Sequence, residues 1–492
     1  MISVVDLFAG PGGLGEGFSS FKNQSIFKIV LSVEKEKFAS ETLLLRSFFH
    51  QFKKKPTKYY DYLKGNITKE DLFSKFPKQY KAASDIVMNI EMGVGHNTLK
   101  VSKRIRELIP NDSHWILLGG PPCQAYSVAG RSRLRNLRGE KLFEEDNRHT
   151  LYKQYLRIIS NNSPSVFIME NVKGLLSSKI DSKSTLDEIL KDLSSPDRAL
   201  KNKEKKEYDL FSLNQSTDLF MQNYVVDCSE HGVPQKRQRL FIIGIKKDLN
   251  IKNISPLIIE KKVPVVKVLS NLPKIRSMIS KEEDSHEKWL EIFYSFPIFK
   301  EIDKIENEIS KAKKIKKLGS RYIKTILKSS SYKPEWFDDP QIEGVLNHET
   351  RKYLKKDIKR YIYCSLFAKK YKRSPKISDF PKQLLPNHKN IHREDNQKII
   401  FGDRFRVQLK EKPATTITSH ISKDGHYYIH YDTSQARSLS VREAARIQTF
   451  PDNYFFKGNR TQQYVQVGNA VPPLMAKKIA SIIYEEVIKI II

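Results

Sequence analysis

The first thirty or so residues constrain the fold more tightly than any other stretch. An apolar run, Ile2 to Phe8, gives way to the turn Ala9-Gly10-Pro11-Gly12-Gly13, then to a helical pattern from about Leu14 and a second apolar run, Ile29 to Val33. A strand that turns on glycines directly into a helix and returns as a strand is the opening of a βαβ unit. Strand-like runs recur at Asp85 to Met88, Trp115 to Leu118, Val166 to Met169 and Leu240 to Ile245, with helical patterns such as Thr98 to Leu108 and Leu151 to Ile159 between them. Strands alternating with helices require crossovers, so the expected core is an α/β domain with a parallel sheet.

That rhythm stops after Gly244. Lysine-rich helical patterns, Lys300 to Lys317 and Thr350 to Lys370, then alternate with Pro-punctuated loops such as Tyr332-Lys333-Pro334 and Phe380-Pro381. Residues 1–250 therefore read as a first domain part, interrupted at about 180–208 by a Ser-, Asp- and Lys-rich stretch expected to be an exposed insertion. Residues 251–435 read as a separate basic module of mixed α and β character. Helix signals return over 436–492: Ser440 caps a Val441 to Gln448 helix, and Pro472-Pro473 opens a last one through Lys489.

The chain has 492 residues and a net charge of +31. Such a surplus suits a polyanion, with nucleic acid the default, although a lysine-rich surface that merely solvates the protein stays open. Three cysteines, Cys123, Cys228 and Cys364, lie far apart with no Cys-x-x-Cys spacing. Neither a disulfide scaffold nor a structural metal site is expected. No run approaches the ~20 apolar residues that span a bilayer, and no secretory leader is read at Met1. The expectation is a reduced, cytoplasmic protein with no membrane partner.

Two motifs carry chemistry. Gly10, Gly12 and Gly15 spell G-x-G-x-x-G, with Glu34 at the end of the next strand to take ribose hydroxyls. The pattern alone does not separate a nicotinamide dinucleotide from S-adenosylmethionine; Asp6 and Phe8, a carboxylate and an aromatic flanking the turn, suit a cationic sulfonium. The second motif is Gly119-Gly120-Pro121-Pro122-Cys123-Gln124, which follows the Trp115 to Leu118 run and presents a thiol on a rigid turn. A thiol so placed is a nucleophile or an accident of packing.

Phe8-Ala9-Gly10-Pro11-Gly12-Gly13 and Pro121-Pro122-Cys123-Gln124 together resemble the cytosine-C5 DNA methyltransferases. Further blocks follow in that family's order: Glu170-Asn171-Val172, Gln235-Lys236-Arg237-Gln238-Arg239, Arg442 to Arg446 leading into Gln448-Thr449-Phe450-Pro451, and Gln466 to Pro473. The resemblance implies a Rossmann-like S-adenosylmethionine-dependent methyltransferase domain with a second, target-recognition domain. It implies Cys123 as the nucleophile that adds to cytosine C6, Glu170 as the acid at N3, Arg239 on the base carbonyl and Arg237 in support. S-adenosylmethionine is then held by Phe8, Gly10, Gly12, Gly13, Leu14, Glu34, Asn66, Pro122, Asn469 and Val471. Asn66 departs from the family's usual acidic residue, but its amide oxygen still accepts the adenine amino hydrogen bond.

A base inside a duplex cannot meet Cys123, so base flipping is implied. Gln124, Ser127, Arg131 and Arg133 lie on a loop suited to close over DNA, while Thr416, Thr418 and Lys423 are expected to contact DNA from the basic module. The expected partner is double-stranded DNA, and a restriction endonuclease is the genetic counterpart of a monomeric modification enzyme. Two alternatives stand beside this one: a tRNA cytosine-5 methyltransferase, and a catalytically silent DNA-binding relative. A nicotinamide dehydrogenase rests on the glycine pattern alone.

Overall fold

A computed structural model describes residues 1–122, 148–177, 179–180, 183–203, 205–214, 224–300, 302–303, 305–386 and 402–492. Two compact units divide the chain. The first comprises Met1–Lys55, Phe73–Lys261 and Ala470–Ile492; the second comprises Pro56–Leu72 and Lys262–Asn469.

The first unit is built on an eight-stranded sheet. Its strands are β1 (Ile2–Leu7), β2 (Phe27–Val33), β3 (Val87–Met88), β4 (Trp115–Gly119), β5 (Val166–Val172), β6 (Tyr208–Phe211), β7 (Val225–Asp227) and β8 (Gln238–Lys246). Their order is β3-β2-β1-β4-β5-β8-β6, and β7 also pairs with β8. The first five strands are parallel. The Leu240 run departs from the parallel expectation: β8 lies antiparallel to β5, and β6 and β7 lie antiparallel to β8. No full helical crossover is needed to reach such a strand, and an apolar run carries no mark of its direction.

Alternation along the strands fills both faces. Val4, Ile116, Leu118, Ile168 and Ile243 join one core with Leu14, Phe18, Met475 and Ile479. Val5, Leu7, Leu117, Met169 and Ile242 join the other with Val101, Ile105, Tyr155 and Ile158. The helices supplying this cover include α1 (Gly13–Ser19), α2 (Lys37–His50), α3 (Pro77–Ile86), α4 (Asn97–Leu108), α5 (Arg148–Asn162), α6 (Thr185–Ser194) and α7 (Pro473–Ile483). Asp85 and Ile86, expected to start a strand, instead end α3. The stretch expected to be an exposed insertion is also corrected, because Leu186, Ile189 and Leu193 on α6 are buried in the second of these cores. Leu186, Ile189 and Leu193 recur at helical spacing, a signal that the surrounding charge masks.

The second unit has its own core, formed by Trp289, Phe293, Tyr361, Tyr363, Phe367, Phe380 and Phe405 among others. Its longest helix is Lys355–Tyr371, and the Lys300 to Lys317 pattern yields a helix only over Glu306–Ala312. An antiparallel pair joins Ser320–Lys324 to Gly344–His348. Residues 436–469, expected with the first domain, fall in this unit. Ser440 caps helix Val441–Ile447 as expected, its hydroxyl accepting from Glu443 N and Glu443 Oε2 accepting from Ser440 N. That helix is tied inward by buried charges. Arg437 and Glu443 pair through two 2.7 Å contacts, Arg446 pairs with Asp452 at 2.5 and 2.8 Å, and Arg442 donates to Leu346 O and Pro451 O. Residues 56–72 join the same unit through Tyr60 to Asp339 (2.9 Å), Lys64 to Glu343 (2.6 Å) and Arg321 to Tyr62 O (3.1 Å).

Candidate active site

Parallel register brings five chain segments to one edge of the first unit's sheet. Leu7 pairs with both Val33 and Gly119, Val33 with Met88, and Gly119 with Met169. Phe8, Glu34, Asn89, Gly120 and Glu170, each next along the chain, therefore emerge at the carboxyl edge, where α/β sheets bind their ligands.

The glycine turn is shaped by left-handed backbone: Phe8, Gly10 and Gly12 have φ of 56°, 57° and 93°. Gly10 and Gly12 meet this demand without strain, whereas Phe8 is held there by its surroundings. Gly10 N donates to Glu34 Oε2 at 2.7 Å, and Glu36 N donates to Glu34 Oε1 at 2.8 Å, so the carboxylate is fixed against the turn. Burial raises the Glu34 pKa, while the amides of Glu36 and Gly10 oppose the rise. A Cβ on Gly10 would meet nothing within 4 Å, which leaves a cradle beside Glu34. Gly13 is closed on its other side, where a Cβ would fall 2.1 Å from Val471 O. Val471 thus touches the turn, and Leu14 is buried just behind it.

The second part of the edge centres on Glu170. Its Oε1 lies 3.0 Å from Arg239 Nε across the β5–β8 pair, with side-chain exposures of 13% and 12%. Burial raises the Glu170 pKa; the Arg239 and Arg237 charges pull it back. Arg237 is itself buried. A Cβ on Gly120 would fall 3.1 Å from Glu170 Oε2, so this glycine lets the turn pass close to the carboxylate. Asn171 Nδ2 donates to Pro121 O at 3.1 Å and ties Pro121-Pro122 to the strand that carries Glu170. A buried acid that retains its proton readily, beside a fixed guanidinium, can donate a hydrogen bond or proton to a ring nitrogen while the arginine holds a carbonyl oxygen.

Cys123, Gln124, Ser127, Arg131 and Arg133 lie outside the described residues. Five other expected site residues belong to the second unit. Asn66 is exposed just past the helix Thr57–Lys64, and Asn469 is exposed at the end of Arg460–Asn469. Thr416 and Thr418 are half-buried, and the Thr418 hydroxyl lies 2.8 Å from Tyr428 OH; Lys423 is exposed. Sequence reasoning missed Asn89, whose Nδ2 donates to Glu34 O at 2.9 Å and Lys35 O at 3.0 Å. Its only signal was its place after a short strand-like run. Asn171 stood in the same block as Glu170 but was given no role of its own.

Residues 80–485 match the family model described as C-5 cytosine-specific DNA methylase. Among curated proteins, the chain is 33% identical to the type II methyltransferase M.Bpa9945I of Bacillus paralicheniformis, covering 97% of each chain. It is 27% identical to the DNA (cytosine-5-)-methyltransferase M.ApeKI of Aeropyrum pernix, over 75% of this chain and 81% of that one. The fold also resembles the crystal structure of an Escherichia coli protein described as a prophage-encoded DNA modification methyltransferase. That match has a TM-score of 0.52 at 18% identity and covers 99% of both chains.

Proposed function

Because the chain belongs to the C-5 cytosine-specific DNA methylase family, we propose that it transfers a methyl group from S-adenosylmethionine to C5 of a flipped-out cytosine in a specific duplex sequence. The observation that carries this reading is the Glu170–Arg239 pair, 3.0 Å apart beside the Gly120-Pro121 turn. Relatives named as type II methyltransferases support a protective role in restriction and modification, with an endonuclease of the same specificity as genetic partner. The basic second unit is the proposed reader of the DNA sequence, through Thr416, Thr418 and Lys423.

Cytosine C5 is a poor nucleophile, so the ring must be activated first. The Cys123 thiolate adds at C6, forming a carbon–sulfur bond and pushing electron density towards N3. Glu170 meets that density with a proton or a strong hydrogen bond, and Arg239 holds the base carbonyl. S-adenosylmethionine, when bound, supplies an electrophilic methyl group. Loss of the C5 proton, with water as the proposed acceptor, then expels Cys123 and restores the aromatic ring.

The residues of the glycine turn fit this cofactor. The cradle beside Gly10 admits a ligand and Glu34 offers a fixed carboxylate to ribose hydroxyls; Phe8, Gly12, Gly13, Leu14, Pro122, Asn469 and Val471 are the proposed remainder of the wall. Asn89 is proposed at the adenine edge alongside the Asn66 already expected there, since its amide bonds the backbone of Glu34.

The reaction is tested by bisulfite sequencing of plasmid DNA from cells expressing the protein, which reads methylated cytosines and their sequence context together. DNA carrying 5-fluorocytosine at that target should trap the wild type covalently, and Cys123→Ser should abolish the trap. Unmodified plasmid alongside methylated tRNA would overturn the DNA reading, and a Cys123→Ser protein that still forms the adduct would remove Cys123 as nucleophile.

A further inference from the structure

All seven residues of α1 are buried, although the helix is too short to hold itself together. Its position is therefore set wholly by what touches it. Gly13 and Gly17 form one face against the last segment: a Cβ on Gly17 would fall 2.4 Å from Ala476 Cβ and 2.5 Å from Pro473 O. Leu14 and Phe18 enter the core, and Gly15 lies over Asp6.

The remaining face carries a charge. Glu16 is 2% exposed at its side chain and is gripped from α2 by two groups. Arg46 approaches it bidentately, Nε to Oε2 at 2.8 Å and Nη2 to Oε1 at 2.5 Å. His50 Nε2 lies 2.9 Å from Oε2. Burial lowers the His50 pKa while the Glu16 charge raises it, and against a carboxylate the ring acts as donor from Nε2. The Arg46 guanidinium also covers the Phe49 ring at 4.2 Å. Smooth glycine contacts fix how near α1 stands to the last segment but resist sliding poorly; a planar two-bond fork fixes orientation.

We propose that Glu16, clasped by Arg46 and His50, is the positioning residue that sets the glycine turn for cofactor binding. Glu16 N donates to Gly12 O, Gly12 N to Ala9 O, and Ala9 N to Val33 O, so any shift of α1 is passed to Gly12, Gly10 and the Gly10–Glu34 bond. The proposal rests on the S-adenosylmethionine reading above.

Titration of purified full-length protein with S-adenosylhomocysteine, which binds without reacting, tests it, alongside steady-state methylation. Arg46→Lys keeps the charge and loses the fork. It should weaken S-adenosylhomocysteine about tenfold and raise the cofactor KM about as much, with kcat at saturating cofactor within about twofold of wild type. His50→Gln retains a donor to Glu16 and should stay within about threefold of wild type, the conservative rescue. A purely structural role would instead lower the melting temperature and the active fraction with cofactor affinity unchanged, and that result would overturn the proposal. Wild-type protein that fails to bind S-adenosylhomocysteine would overturn the cofactor reading itself.

Discussion

Asp6 stands two residues before the left-handed turn with both carboxylate oxygens buried and no partner in full hydrogen-bond geometry among the described residues, the Gly15 amide lying close by. Burial raises its pKa from 3.8 to about 7; the Gly15 amide opposes the rise and Glu34 adds to it. The native protein thus holds this proton over a pH range in which the unfolded chain releases it, and stability falls as pH rises from about 4 to 7. At about 1.4 kcal/mol per pH unit, the loss is on the order of 4 kcal/mol. Asp6→Asn is a neutral replacement of the same shape. Its melting temperature relative to wild type should rise between pH 5 and pH 8; a constant difference would mean that Asp6 does not titrate in this window. From sequence, Asp6 was legible as a carboxylate near a ligand turn. Its isolation was not, because desolvation depends on what packs over it.

Among the elements, α1 shows how glycine spacing becomes contact. Gly13 and Gly17 are one helical turn apart, and both abut the segment from Val471 to Lys477 at distances that no side chain survives. Overpacking of this kind typically costs about 1–3 kcal/mol. Gly17→Ala should lie near the upper end, about 3 kcal/mol in urea unfolding, because the obstruction includes the backbone of Pro473 and Lys477. A loss below about 0.5 kcal/mol would show that the two helices separate freely. The strand runs at Val4, Leu117 and Ile168 were readable because alternation sends neighbours to opposite faces. The direction of β8 was not, and neither was the burial of α6 beneath its charged surface.

At the level of the molecule, the second unit draws on residues 56–72, some two hundred positions from the rest of it. Tyr59, Tyr60, Tyr62 and Leu63 are buried, and Lys457 Nζ lies 2.6 Å from Tyr62 OH. A fragment spanning 262–469 should therefore unfold without a cooperative thermal transition, and joining 56–72 to it by a flexible linker should restore one. Equal cooperative transitions in both fragments would show that the tyrosine helix is dispensable. No helix among the described residues is long and apolar enough to cross a membrane.

The sequence by itself determined the α/β core, the glycine turn, the cap at Ser440 and the family, because each of these is written in local spacing or in motif order. Glu170 and Arg239 could be named from their blocks, and Glu34 from its distance to the turn. Tertiary structure alone decided that Glu170 faces Arg239, that Asn89 meets the backbone of Glu34, and that Glu16 is clasped by Arg46 and His50. These pairings join residues 30 to 69 positions apart on separate elements. The physical reason is that a side chain's partners and its exposure to water follow from packing between elements, which neither composition nor periodicity encodes.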